Sequence, residues 1–245
     1  MTAASSPPKN TDRVPSSRTI SARNDPGQRT TLSPRTIALE MVIFLAVPAY
    51  STMRTFSHWD DPTAHFVPPR SLGDAVSGAA TSLMICYLIW RDKGSLASMG
   101  LARVRIGKEA LIAAFMLLAL VAQWRITAPL TSTMGAMHRS LSYAWPLHPW
   151  GKAAFVVSFF ISAFHEEFLF RGYLLSRLDD LRVNRFSAVV GAAAFFAAGH
   201  SGPGAAVSAF VTGLTFGTAF LGWRSLVGLG IAHGAWNLLV EALSS

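Results

Sequence analysis

Long apolar runs separated by short polar links dominate the chain from residue 36 onward. None of them alternates with a period of two, and all exceed the roughly four to eight residues of a buried strand, so the pattern predicts helices. Seven runs can be marked, at 36–53, 72–90, 108–128, 152–176, 186–200, 204–222 and 225–243. Most approach the roughly 20 residues that one crossing of a bilayer needs. The predicted fold is therefore all-α, a polytopic transmembrane bundle of about seven spans with an intramembrane active site. The link "HSGPG" at 200–204 reads as a tight turn between antiparallel helices.

Composition agrees. Of 245 residues, 51% are hydrophobic and 14% charged, against about 25% charged in a typical soluble domain. Residues 1–35 stand apart: they are rich in Ser, Thr, Pro and Arg and nearly devoid of large apolar side chains. They are expected to form a disordered basic tail ahead of a helical domain at 36–245. The tail has no apolar core of a secretory signal. It reads as the cytoplasmic tail of a bacterial plasma-membrane protein, with an organelle transit peptide as the alternative.

The net charge of +8 would raise nucleic acid as a partner in a soluble protein, but here the basic residues fall in links between spans, so no nucleic-acid role is expected. Six of the 21 Lys and Arg lie in the tail, five between spans two and three, three between four and five, and one between six and seven. The opposite links hold five, and Arg171 lies within a span. That asymmetry predicts a cytoplasmic N-terminus and an external C-terminus. The single cysteine, Cys86, excludes an intrachain disulfide and reads as a packing residue. Ala205, Ala209, Gly213 and Gly217 recur at every fourth place in span six and predict a close helix contact. Trp59, Trp145, Trp150 and Trp223 fall near span ends and read as interface anchors.

The exceptions to the apolar pattern carry the chemistry. "AFHEEFLFRGYLL" at 163–175 sets Glu166, Glu167 and Arg171 inside span four. Glu167 and Arg171 are four apart and can pair on one helix face. Glu166 points about 100° away around the helix and has no helical partner, which is costly in a membrane and marks it as functional. Span five ends in "FFAAGH", with His200, and span seven holds "HGAWN", with His233 and Asn237 four apart. At ~1.5 Å per residue, these four polar side chains fall at one depth. His165 reads as a packing residue or pocket wall.

"EEFLFR", "FAAGH" and "HGAWN" are EExxxR, FxxxH and HxxxN motifs, in that order and on separate apolar helices. The set resembles the CPBP or Abi family, the CAAX proteases and bacteriocin-processing enzymes, which are intramembrane glutamic endopeptidases. The resemblance spans about 95–243 and includes "SLASMGLARV", similar to the linker ahead of the family core. It implies an endopeptidase acting on a peptide or protein, with or without a lipid, beside membrane lipids. Glu166 and His200 would then hold and deprotonate a water, while His233 and Asn237 would receive the oxyanion. Both roles suit the residue types, since peptide hydrolysis needs a base and fixed donors. Glu167 and Arg171 would support the pocket.

No cofactor is expected. The rival is zinc, which two histidines and a glutamate could bind, although His165-Glu166-Glu167 lacks HExxH spacing because Leu169 stands four residues on. No serine sits in a GxSxG elbow. A non-catalytic immunity protein or membrane scaffold is the alternative to an enzyme; a transporter would show internal repeats, and none is evident.

Overall fold

The computed structural model describes residues 32–57, 68–92, 95–101, 104–134, 148–200 and 202–244, with backbone alone for 47–57, 68–75 and 243–244. The predicted tail lies outside these residues except for 32–35, as do Trp59 and Trp145. The described residues form seven helices and no strand. These are α1 (Pro34–Ser57), α2 (Pro68–Arg91), α3 (Ile106–Thr133), α4 (Pro149–Asp180), α5 (Arg185–Ala198), α6 (Pro203–Trp223) and α7 (Leu226–Ser244). A 3₁₀ turn, Leu96–Met99, precedes α3. Each helix falls on one predicted run, with ends within five residues of those read from sequence.

Helix ends follow local chemistry. Pro149 and Pro203 stand in the first turns of α4 and α6, where a missing N–H costs nothing. Asn184 caps α5 by accepting from Ser187 N at 2.9 Å. Gly100 closes the 3₁₀ turn at φ 86°, a conformation that suits glycine. Buried Glu109 of α3 accepts from Ser225 Oγ and from Gly228 N, one of the amides that open α7 and that has no carbonyl partner within the helix.

Among the described residues, three helices, α3, α4 and α6, are long and apolar enough to cross a membrane. Seven helices match the seven predicted runs, and among them α5 is shorter than a full span. Helix α5 has 14 residues, about 21 Å at 1.5 Å per residue, short of the roughly 30 Å hydrocarbon core. It stops because Gly199 caps it, so His200 sits past the helix end instead of within it. Large apolar side chains such as Leu83, Leu111, Leu118 and Ile126 face outward, as in a protein solvated by lipid.

Glycine permits the closest contacts. A Cβ on Gly213 would stand 2.8 Å from Ala193 Cα, and one on Gly217 would stand 2.9 Å from a Val189 methyl. The small-residue stripe of α6 thus meets α5, as its spacing predicted. A second set is on α7, where Gly230 and Gly234 receive the rings of Phe164 and Phe160. This contact brings His233 against α4. Gly213→Ala meets backbone atoms that cannot swing aside, and is expected to destabilise by about 1–3 kcal/mol. Gly222→Ala, with nothing within 4 Å, should be neutral or stabilising by up to about 1 kcal/mol. Thermal melts in detergent compare the two.

The core between helices also holds polar contacts. Gln123 of α3 donates to Thr212 Oγ1 at 2.8 Å and accepts from Thr215 Oγ1 at 3.2 Å, both on α6. Cys86 is half-buried and packs against the apolar core. At one end of the bundle Arg177 reaches Asp92 at 2.6 Å and Glu40 at 3.2 Å, and Arg91 reaches Glu40 at 2.5 Å. This cluster ties α1 and the end of α2 to the end of α4.

Candidate active site

Helix α4 changes its winding just after the paired glutamates. Pro149–Glu167 is α-helical, Phe168–Leu174 is π-helical and Leu175–Asp180 returns to α. Such stretches, with i→i+5 bonding, are rare and are frequent at functional sites. All seven residues of the π segment are buried, Arg171 among them.

Burial divides the two carboxylates. Glu167 is fully enclosed, whereas the Glu166 side chain remains 31% exposed. Arg171 Nη1 donates to Glu167 Oε1 at 3.0 Å, the pair expected from the four-residue spacing. Arg171 does not reach an aqueous edge: it is 1% exposed, and its guanidinium lies 4.6 Å from the Phe196 ring centre and 5.3 Å from that of Phe216. Two aromatic faces thus add cation–π attraction to the ion pair.

His233 of α7 joins this group. Its Nδ1 lies 2.9 Å from the same Glu167 Oε1, and its Nε2 lies 3.8 Å from Glu166 Oε2. Its ring is buried between Phe196 at 5.9 Å and Phe216 at 5.6 Å. Glu166 also has Ser162 Oγ as a polar neighbour, at 3.4 Å on the preceding turn. The Glu167–His233 bond has no counterpart in the sequence reading. It depends on the rotation of α7 against α4, which the Phe160–Gly234 and Phe164–Gly230 contacts set.

His200 enters through Phe196. Its Nδ1 lies 2.9 Å from the Phe196 carbonyl oxygen and its ring packs 4.7 Å from the Phe196 ring. A carbonyl only accepts, so this nitrogen carries the proton and Nε2 is left as an acceptor. Phe196 therefore touches both histidines and Arg171. Asn237 is half-buried one turn beyond His233 on α7. His165 turns away from the group: its Nδ1 lies 3.0 Å from Ser82 Oγ and its ring packs on Gly78 of α2.

The arrangement offers a partly exposed carboxylate, an imidazole nitrogen 3.8 Å from it, a second imidazole packed on the far side of Phe196, and a half-buried amide. Those groups can take a proton from water and receive negative charge nearby. Among the described residues, no group of three or more His, Cys, Asp or Glu side chains is arranged to hold a metal ion.

No curated protein and no solved structure matches the chain. Residues 148–239 match a family model, the type II CAAX prenyl endopeptidase Rce1-like family. The matched segment contains Glu166, Glu167, Arg171, His200, His233 and Asn237.

Proposed function

We propose that this chain, which over residues 148–239 is similar to the type II CAAX prenyl endopeptidase Rce1-like family, is a membrane-embedded endopeptidase that hydrolyses a peptide bond through a glutamate- and histidine-activated water. The observation that carries this reading is the contrast between the neighbouring glutamates. Glu167 is sealed and paired, while Glu166 is partly open and faces an imidazole nitrogen at 3.8 Å. A general base must reach both water and substrate, and of the two glutamates Glu166 is the one with solvent exposure, which supports its choice as the base. His200, with its Nε2 set as an acceptor by the Phe196 carbonyl, supports the same water. Asn237 supplies a donor for the oxyanion, as fixed amides do elsewhere. Arg171 and Glu167 hold the floor of the site.

The substrate is a peptide or protein segment presented at the membrane, and a lipidated C-terminus suits a site walled by aromatic rings. No cofactor takes part. Purified protein in detergent, given prenylated and unprenylated C-terminal peptides, should cleave at least one and keep its rate in strong chelators. Loss on chelation with rescue by stoichiometric zinc would overturn the direct-water reading. Inhibition by added zinc would not, because imidazole nitrogens bind it without a catalytic role.

The protein is proposed to sit in a bacterial plasma membrane with its N-terminus in the cytoplasm, on the strength of the Lys and Arg asymmetry. The ion cluster of Arg91, Asp92, Arg177 and Glu40 then lies at the cytoplasmic end. In a Cys86→Ala background, Ser132→Cys should react with an impermeant thiol reagent on intact cells, and Ala97→Cys only after permeabilisation. The reverse pattern overturns the orientation.

A further inference from the structure

We infer that the cleft between the ends of α4, α5 and α6 binds the headgroup of an anionic phospholipid, with Arg185 and Arg224 holding its phosphate. The cleft is separate from the carboxylate and histidine group, and the inference does not depend on the hydrolytic reading.

Two chain reversals build the cleft. Helix α4 ends at Asp180 and the chain turns back into α5 at Arg185; α6 ends at Trp223 and the chain turns back into α7 at Leu226. Leu175, Val183 and Leu221 form an apolar wall between the two turns, and Asp179, Arg185 and Arg224 line the same cleft. Two guanidiniums against one carboxylate leave one net positive charge. Among the described residues, neither Arg185 nor Arg224 is held in an ion pair. Arg91 and Arg177 at the same end differ, because each is matched to Glu40 and Asp92. The inner arginines are neutralised by the protein, and the outer two are left for a ligand.

The backbone at Arg224 is fixed on several sides. Its φ of 48° and ψ of 46° are left-handed, a place where glycine is usual. Its N–H donates to the Phe220 carbonyl at 2.9 Å. A Cβ on Gly100 would stand 3.2 Å from the Arg224 carbonyl oxygen, and Leu226 N donates to the Gly100 carbonyl at 3.1 Å. The guanidinium lies 5.3 Å from the Phe220 ring centre. A turn alone would be better served by glycine, so the side chain is what arginine adds here.

Height and chemistry favour a lipid over a free anion. Helix α4 has 32 residues, about 48 Å at 1.5 Å per residue, long enough for its last turns to reach the headgroup layer. Phe186, 80% exposed beside Arg185, and half-buried Trp223 beside Arg224 are aromatics of the kind that sit at that level. Basic pockets between spanning helices attract anionic headgroups. A free phosphate gains nothing from the apolar wall, whereas a phospholipid lays its glycerol and first acyl carbons on it.

The test uses the full chain in a neutral detergent. It is titrated with phosphatidylglycerol, with phosphatidylcholine of the same acyl chains, and with inorganic phosphate. Bound lipid is counted by native mass spectrometry beside a thermal melt. Phosphatidylglycerol should bind and raise the melting temperature well above the effect of either other probe. Arg185→Gln with Arg224→Gly keeps the turn and should weaken that binding by about 30-fold, roughly fivefold for each arginine lost near an anionic headgroup. Arg105→Gln removes an exposed charge outside the cleft and should leave binding unchanged. An equal loss in Arg105→Gln, or an equal response to phosphatidylcholine, reduces the effect to diffuse attraction and overturns the site. Inorganic phosphate matching phosphatidylglycerol overturns the lipid as occupant. A photoactivatable phosphatidylglycerol needs no variant: its label on the native protein should map to residues 175–188 and 221–224. Label confined to other segments overturns the inference, whether or not the double variant folds.

Discussion

Glu166→Gln is expected to lower turnover by about 10²- to 10⁴-fold, the usual loss when a general base is removed, with the protein still folded and inserted. The substitution keeps the shape of the side chain and can keep the contact to Ser162, 3.4 Å away in the native protein. It removes only the ability to take a proton. The Glu166 side chain is 31% exposed, so the neutral amide meets no severe desolvation and the melting temperature should shift little. The measurement is cleavage of a matched substrate beside a thermal melt in detergent. Near-normal turnover by Glu166→Gln, with none from a folded Glu167→Gln, would assign the base to the wrong glutamate.

Glu167→Gln should act in a different way, chiefly on stability. It leaves the Arg171 guanidinium without a counter-ion at 1% exposure. Removing one member of a buried pair costs about 3–5 kcal/mol. The relief open to many membrane arginines, stretching toward an aqueous edge, is closed here because the Phe196 and Phe216 rings hold the group in place. Activity should fall as well, since His233 loses the carboxylate that orients it. Adding Arg171→Met removes the stranded charge and should recover part of the stability while leaving activity low. Full recovery of turnover in the double variant would contradict the bond from Glu167 to His233 as a working contact.

The helices were legible because lipid demands long apolar runs, and their ends because proline and glycine mark them. The three motifs were legible for the complementary reason, since ionisable residues are rare in such runs. What escaped depends on how one helix turns against another. His233 meets Glu167 across 66 positions of chain, through a contact that two glycines of α7 permit. Arg91 and Arg177 read as loop charges, yet Arg177 reaches partners 85 and 137 positions away. The shortness of α5 escaped because "FFAAGH" continues an apolar run in composition, while Gly199 ends the helix.

The π-helical stretch of α4 works as a coupling between two unlike loads. Upstream of Phe168–Leu174 the helix presents the carboxylates, and downstream it presents Arg177 to Glu40 and Asp92. With i→i+5 bonding the segment accommodates more chain per turn than ordinary winding. Removing a residue from the ordinary winding on either side of it would turn everything beyond by about 100° and draw it back about 1.5 Å, so that Arg177 rotated off its partners and α1 lost its tether. Inside the π stretch one residue is taken up by the wider winding, and its removal would leave the two ends of α4 much closer to their present phase. The stretch should therefore tolerate loss of one residue better than the α-helical turns that flank it.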